Sequence, residues 1–280
     1  MDLVNGLVTS IFDIVLTPLE MINLEVSIAV VSALFGILGL FIFKYISSQK
    51  GIKRAKDRIK GHMIEIRIYQ DDLVVVGAAV CKVLFNNMKY LGLNLLPFIP
   101  LTIPFVFVMA QLVVRYGYEP LPEGEDFKIL VEVSQEEKGQ ISDLQVIAPD
   151  WLAAEDLVVV RAPSEARAVV SIRDAKPGIW DFAFKIGDSI VIKQIVIGAE
   201  TEAPRLMQPE RVGDLLNAVL WPAETMIEPD SPMTRIAVHG EYPGRVFAFL
   251  PDGAIGVVLG IILYSILAGL AVLKPLGVTI

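Results

Sequence analysis

Little in this chain is arranged for making or breaking bonds. The adjacent acidic pairs Glu136-Glu137 and Glu155-Asp156 fall among turn-forming residues, where they solvate a surface more readily than they share a proton. Ser164, Ser171 and Ser189 lack the strand-to-helix turn of a nucleophile elbow, and His239 is the only imidazole in their part of the chain. His62 and His239 are far apart, and no metal-ligand spacing occurs. No glycine-rich loop is present to cradle a phosphate. The single cysteine, Cys81, excludes an intrachain disulfide and reads as a small buried apolar residue. The expectation is a protein that is not an enzyme, with no catalytic residue, no cofactor and no metal.

Composition points to a membrane instead. Of 280 residues, 54% are hydrophobic and mean hydropathy is +0.59, with the excess gathered in blocks. The net charge of -8 conceals an asymmetry: acids outnumber bases by about two to one between residues 116 and 250, whereas 44–60 is strongly basic. Such a split implies two aqueous compartments. Nucleic acid is excluded as a partner, because the basic cluster is short, adjoins an apolar helix and has no pattern of base-stacking aromatics.

Residues 1–19 place Leu3, Leu7, Ile11, Ile14 and Val15 on one helical face, with Asp2, Asn5, Ser10, Asp13 and Thr17 on the other and Pro18 ending the run. That pattern suits an amphipathic helix in a membrane interface. A signal peptide fits less well, since a basic start and a small-residue cleavage motif are missing. Residues 26–43 carry no charge and are long enough to cross a hydrocarbon core of about 30 Å. Lys44, Lys50, Lys53, Arg54, Lys56, Arg58 and Lys60 follow at once, opposed only by Asp57, which puts this end in the cytoplasm and the N-terminus outside.

Residues 44–93 are expected to form a cytoplasmic basic hairpin. Ile52, Ile59, Met63, Ile66 and Leu73 recur near heptad spacing, and Gly61, Asp71-Asp72 and Gly77 are its candidate breaks. A second span at 95–115 is crowded by Pro97, Pro100 and Pro104, so its first half should pack on other helices or face water. Arg115, Tyr116 and Tyr118 would anchor its outer end. Between 119 and 250, six or seven short strands at roughly ten-residue spacing predict an immunoglobulin-like sandwich outside the membrane. Within it a short helix is expected at 209–220, with Glu210 and Arg211 at its start and Leu215, Leu216, Val219 and Leu220 inward. Closing strands are expected at 235–238 and 245–249. A third span, 254–273, offers Gly256, Gly260, Ser265 and Gly269 for close packing and ends in the cytoplasm at Lys274. The fold class is an α-helical membrane protein, with three transmembrane helices and a cytoplasmic hairpin, carrying an extracytoplasmic all-β domain and residing in a cell (inner) membrane.

This order of parts is similar to the YidC/Oxa/Alb superfamily of membrane-protein insertases, above all its three-helix archaeal and endoplasmic-reticulum branches. Residues 44–72 carry the resemblance for the first hairpin arm. The segment NNMKYLGLNLLPFIPLTIPFVFV resembles the entry into the helix after the coiled coil, and 1–19 resembles the interfacial helix. About half of the chain is covered. Two features depart from the family: 26–43 holds no arginine, so no groove cation is carried over, and a β domain between the last two spans is not its usual arrangement.

The resemblance implies a membrane-protein insertase or membrane chaperone that works without bond chemistry. A hydrated groove would lower the cost, roughly 3 kcal/mol or more, of bringing a charged group into the bilayer. Ser32, Asn94, Thr102, Gln111, Tyr264 and Ser265 are the residues expected to line it; each also has a plainer role, bonding its own backbone or joining helices. Lys53, Arg54, Lys56, Arg58 and Lys60 would meet nascent segments or other membrane proteins. The alternative is a non-catalytic membrane-anchored subunit whose β domain binds an envelope protein complex. A small-molecule transporter is disfavoured, since three spans without intramembrane charge make a poor pathway. The lipid bilayer is a partner in every reading.

Overall fold

A computed structural model describes residues 2–198, 206–240 and 242–277. Contacts divide the chain into two compact units, Met1–Ile28 with Val106–Gly260, and Ala29–Phe105 with Ile261–Ile280. Among the described residues, four stretches are long and apolar enough to cross a membrane: Leu3–Glu20, Leu24–Ile46, Leu73–Tyr116 and Gly253–Leu273. The first of these is the segment that its amphipathic pattern would lay in the interface.

In the first unit, α1 (Asp2–Glu20) continues through Pro18 rather than stopping there. Proline removes one backbone donor, and only one helical bond is lost when the helix ends two residues later. Its amphipathicity is inside out. Leu3, Leu7, Ile11 and Ile14 are exposed, whereas Asn5 is buried and donates to the Ala218 carbonyl at 3.2 Å.

Among the described residues, eight strands build the β part. A five-stranded sheet runs β3 (Leu157–Ala162), β4 (Arg167–Ile172), β1 (Phe127–Val133), β8 (Met233–Val238), β7 (Glu210–Val212). A three-stranded sheet runs β2 (Gln145–Ile147), β5 (Gly178–Ile186), β6 (Ser189–Ile197), and every pairing is antiparallel. Strict alternation in β1 sends Phe127, Ile129, Val131 and Val133 inward. Phe127 meets Phe182 of β5 edge-on at 6.2 Å, so both sheets share one core. Gly187, at φ +59°, allows the two-residue turn that sets Ile186 opposite Ser189.

Three local expectations are corrected. Glu210 and Arg211 belong to β7, not to a helix, because they pair with Ala237 and Ile236. The helix, α6 (Leu215–Leu220), starts later, where Asp214 caps the Asn217 backbone N–H at 2.9 Å. It buries Ala218 and leaves Leu215 and Leu216 exposed, not inward. Residues 245–249 form no strand. Their loop is held by Glu25, whose carboxylate accepts from the Ala248 N–H and, at 3.2 Å, from the Phe249 N–H.

Within the second unit, α3 (Gln49–Ile68) and α4 (Leu73–Leu95) form the hairpin. Asp72 makes the turn by accepting from the Val74 and Val75 N–H groups at 3.0 and 3.2 Å. Gly61 and Gly77 do not break it; both helices continue through them. Ile52, Ala55 and Ala79 are buried, yet Met63 and Leu73 of the expected heptad are exposed. Cys81 is exposed as well, against the expectation of a buried residue, because it projects away from α3. The second arm reaches Leu95, and Leu96 and Pro97 separate it from α5 (Phe98–Tyr116). Pro100 sits in the first turn of α5, where its missing donor costs nothing, and only Pro104 is interior. The remaining helices, α2 (Leu24–Ile46) and α7 (Gly253–Leu273), like α5, contribute residues to both units.

Candidate functional site

The second unit contains an open groove of about 460 Å³. Its walls are Phe35, Gly36, Gly39, Leu40 and Phe43 of α2, Phe98, Leu101, Thr102 and Phe105 of α5, Asn94 of α4, and one face of α7 from Ile262 to Leu273. Aromatic contacts brace it, Phe35 with Phe105 at 5.8 Å and Phe43 with Phe98 at 6.0 Å. Glycine makes it possible: a Cβ on Gly36 would lie 2.1 Å from the Ser265 backbone oxygen, so α2 and α7 touch backbone to backbone here. A Cβ on Gly269 would meet the Gly36 oxygen only at an ordinary 3.7 Å, while Gly256 accommodates the Pro251 carbonyl of its own helix's entry loop.

Three of the six residues expected in a groove, Asn94, Thr102 and Ser265, line this one. Thr102 and Ser265 donate to the Phe98 and Ile262 carbonyls of their own helices, at 2.9 and 3.0 Å. Asn94 donates to the Tyr90 carbonyl at 2.8 Å, and its Oδ1 is buried without a partner. Among the described residues no charged side chain lines the groove, so its lining is apolar with one unmet acceptor.

The other three lie elsewhere. Ser32 is fully buried with an unpartnered Oγ, and Tyr264 is half-buried outside the lining. Gln111 belongs to the first unit, where its Nε2 donates to Thr9 Oγ1 at 2.9 Å. Of the hairpin cations, Lys53, Arg54, Arg58 and Lys60 are exposed on α3 and Lys56 is half-buried. Glu65 links the two arms, 2.9 Å from His62 Nδ1 and 3.7 Å from Lys82 Nζ. The His62 hydrogen bond holds its carboxyl below the usual range.

Two charged pairs escaped the sequence reading. Arg115, Tyr116 and Tyr118, expected to anchor the outer end of the second span, are all buried. Arg115 Nη2 pairs with Asp13 of α1 at 2.7 Å, and the Tyr116 hydroxyl donates to Glu20 at 2.8 Å. The acidic side chains Asp13 and Glu20, seven residues apart on α1, were the available signal, but nothing in the sequence named their partners. In the β domain, Lys193 is fully buried, pairs with Glu224 and donates to the Gln208 carbonyl at 2.9 Å. Burial pushes the Lys193 ammonium down and the Glu224 carboxyl up, each outweighing the attraction between them. No group of three metal-ligating side chains occurs among the described residues.

No protein family, no curated protein and no solved structure matches this chain.

Proposed function

We propose that the protein is a membrane-protein insertase or membrane chaperone that handles apolar segments without bond chemistry. The observation that carries this reading is the open apolar groove with the single unmet acceptor Asn94 Oδ1, in the same unit as a strongly basic hairpin. An apolar client helix would pack against the Phe-lined walls. The accompanying layout has the hairpin in the cytoplasm, the β domain outside as an immunoglobulin-like module, and the helices in a cell (inner) membrane.

A photo-crosslinking residue at Thr102, which is exposed and lines the groove, tests this. Membrane-protein adducts at Thr102 and not at Gln111, together with impaired insertion of short-tailed membrane proteins on depletion, are the expected results. Lipid adducts alone would overturn the proposal. The second reading, a membrane-anchored subunit binding an envelope protein, is favoured by one observation: the edge strand β3 exposes Val158 and Val160. Under it, Val160→Lys removes a partner from pull-downs of the full chain, while crosslinking at Thr102 finds no client.

A further inference from the structure

The hairpin has two opposite characters. Helical spacing of 100° per residue places Leu73, Val74, Leu84, Phe85, Met88 and Leu91 within one arc of α4, on the side away from α3. All six are exposed, Leu73 by 83%, Phe85 by 72% and Met88 by 68%. The face toward α3 holds the buried Ala79 and Asn86. Asn87 is polar at the rim, and Lys89 stands at the edge of the apolar arc, where its long stem can cover apolar surface while its ammonium group reaches outward; Lys82 beside it pairs with Glu65 of α3 at 3.7 Å. On α3, Lys50, Lys53, Arg54, Arg58, Lys60 and Arg67 occupy the sides that do not pack on α4. Between residues 44 and 93 ten basic side chains oppose four acidic ones, a net charge of +6.

We propose that the outward face of α4 lies in the interface of an anionic phospholipid leaflet, with the rim lysine Lys89 at its phosphates and the basic residues of α3, one helix further out, adding longer-range attraction. Two observations select lipid over other occupants. The apolar arc runs on without interruption through Leu95 and Leu96 to Phe98 and Ile99, all exposed, so it is continuous with the start of the long apolar α5. A second copy would set one +6 hairpin against another, which like-charge repulsion opposes. A basic amphipathic element of this composition binds an anionic surface through buried apolar area and electrostatic attraction together, and the attraction is sensitive to salt. This inference needs only the hairpin, and does not rest on the client-handling role of the groove.

The chain supplies its own probe, because Cys81 is the only cysteine, is exposed and lies within the apolar arc. The full chain, labelled at Cys81 with an environment-sensitive fluorophore, is reconstituted into phosphatidylcholine vesicles with or without phosphatidylglycerol. The expected result is blue-shifted emission and quenching by acyl-chain bromine at least about 2-fold stronger with phosphatidylglycerol, the excess vanishing at high salt. Phe85→Asp should abolish the quenching. The triple exchange Lys53→Glu, Arg54→Glu, Lys60→Glu should remove the lipid-charge dependence; these side chains are exposed, and circular dichroism confirms that the helices persist. Water-like emission in both lipids, or quenching untouched by either variant, would overturn the proposal. So would excimer formation between pyrene labels at Cys81 that is lost on dilution in the membrane, since it would assign the face to a second copy.

Discussion

Glu224→Gln should destabilise the β domain far more than a surface substitution. Lys193 would keep its complete burial and the Gln208 and Gln194 carbonyls at 2.9 and 3.4 Å, but would lose the Glu224 carboxylate. Breaking a buried pair from one side costs about 3–5 kcal/mol. The two remaining carbonyls place the expected value near 3 kcal/mol. The double variant Lys193→Met, Glu224→Leu removes both charges and should return to within about 1 kcal/mol of wild type, or exceed it. Trp151, Trp180 and Trp221, the three tryptophans of the chain, all lie in this domain, so urea unfolding of the full chain in detergent reads it selectively. With a slope of about 1–3 kcal/mol per molar urea, 3 kcal/mol moves the midpoint by roughly 1–3 M. Burial depresses the lysine, so below 10.5 the unfolded state binds more protons than the folded one. The stability of Glu224→Gln should therefore rise with pH between the lowered value and 10.5. A loss below about 1 kcal/mol, or strict additivity in the double variant, would refute the buried-pair argument.

Other perturbations address the remaining contacts. Arg115→Met leaves Asp13 without its 2.7 Å partner and should loosen α1, seen as faster proteolysis of the N-terminal segment; Asp13 is partly exposed, so the cost stays below about 3 kcal/mol. Gly36→Leu must push α2 and α7 apart by roughly 1 Å or more, costs about 1–3 kcal/mol, and should abolish client crosslinking from Thr102 while leaving tryptophan-monitored unfolding of the β domain unchanged. Asp214→Ala removes the α6 cap and should cost about 1 kcal/mol. Trp221, at the C-terminal end of α6, provides its fluorescence signal. Hydrogen bonds from Asn217 depress the Asp214 carboxyl, so the wild-type cap contributes fully above 3.8 and is lost as pH falls through the lowered value, whereas the variant shows no such step.

Local periodicity carried the sequence reading a long way. The alternation of 127–133 is plain in the sequence and matches β1 residue for residue, and Gly187-Asp188 is the turn that joins β5 to β6, because strand and turn preferences are set by near neighbours. Glu210-Arg211-Val212 failed for the converse reason: a three-residue strand has no periodicity of its own and exists only through its pairing with β8. Helical pattern likewise located α3 and α4 but could not say which face of α4 meets α3, and so buried Cys81 on paper. Asn94, Thr102 and Ser265 share one groove because polar residues in apolar helices are few. Gln111 was grouped with them wrongly, since its Thr9 partner lies 102 positions away.

The clasp between Glu25 and the loop ahead of α7 has a consequence for how the chain is made. Its acceptor is synthesised 223 positions before its first donor. At about 5–20 residues per second that gap lasts on the order of tens of seconds. Until then the Ala248 and Phe249 N–H groups are not there to satisfy the carboxylate, and leaving it unpaired away from water would be costly, which favours a hydrated entrance to α2 in the meantime. The last helix, on arrival, thus inherits a mooring already held in place by solvation.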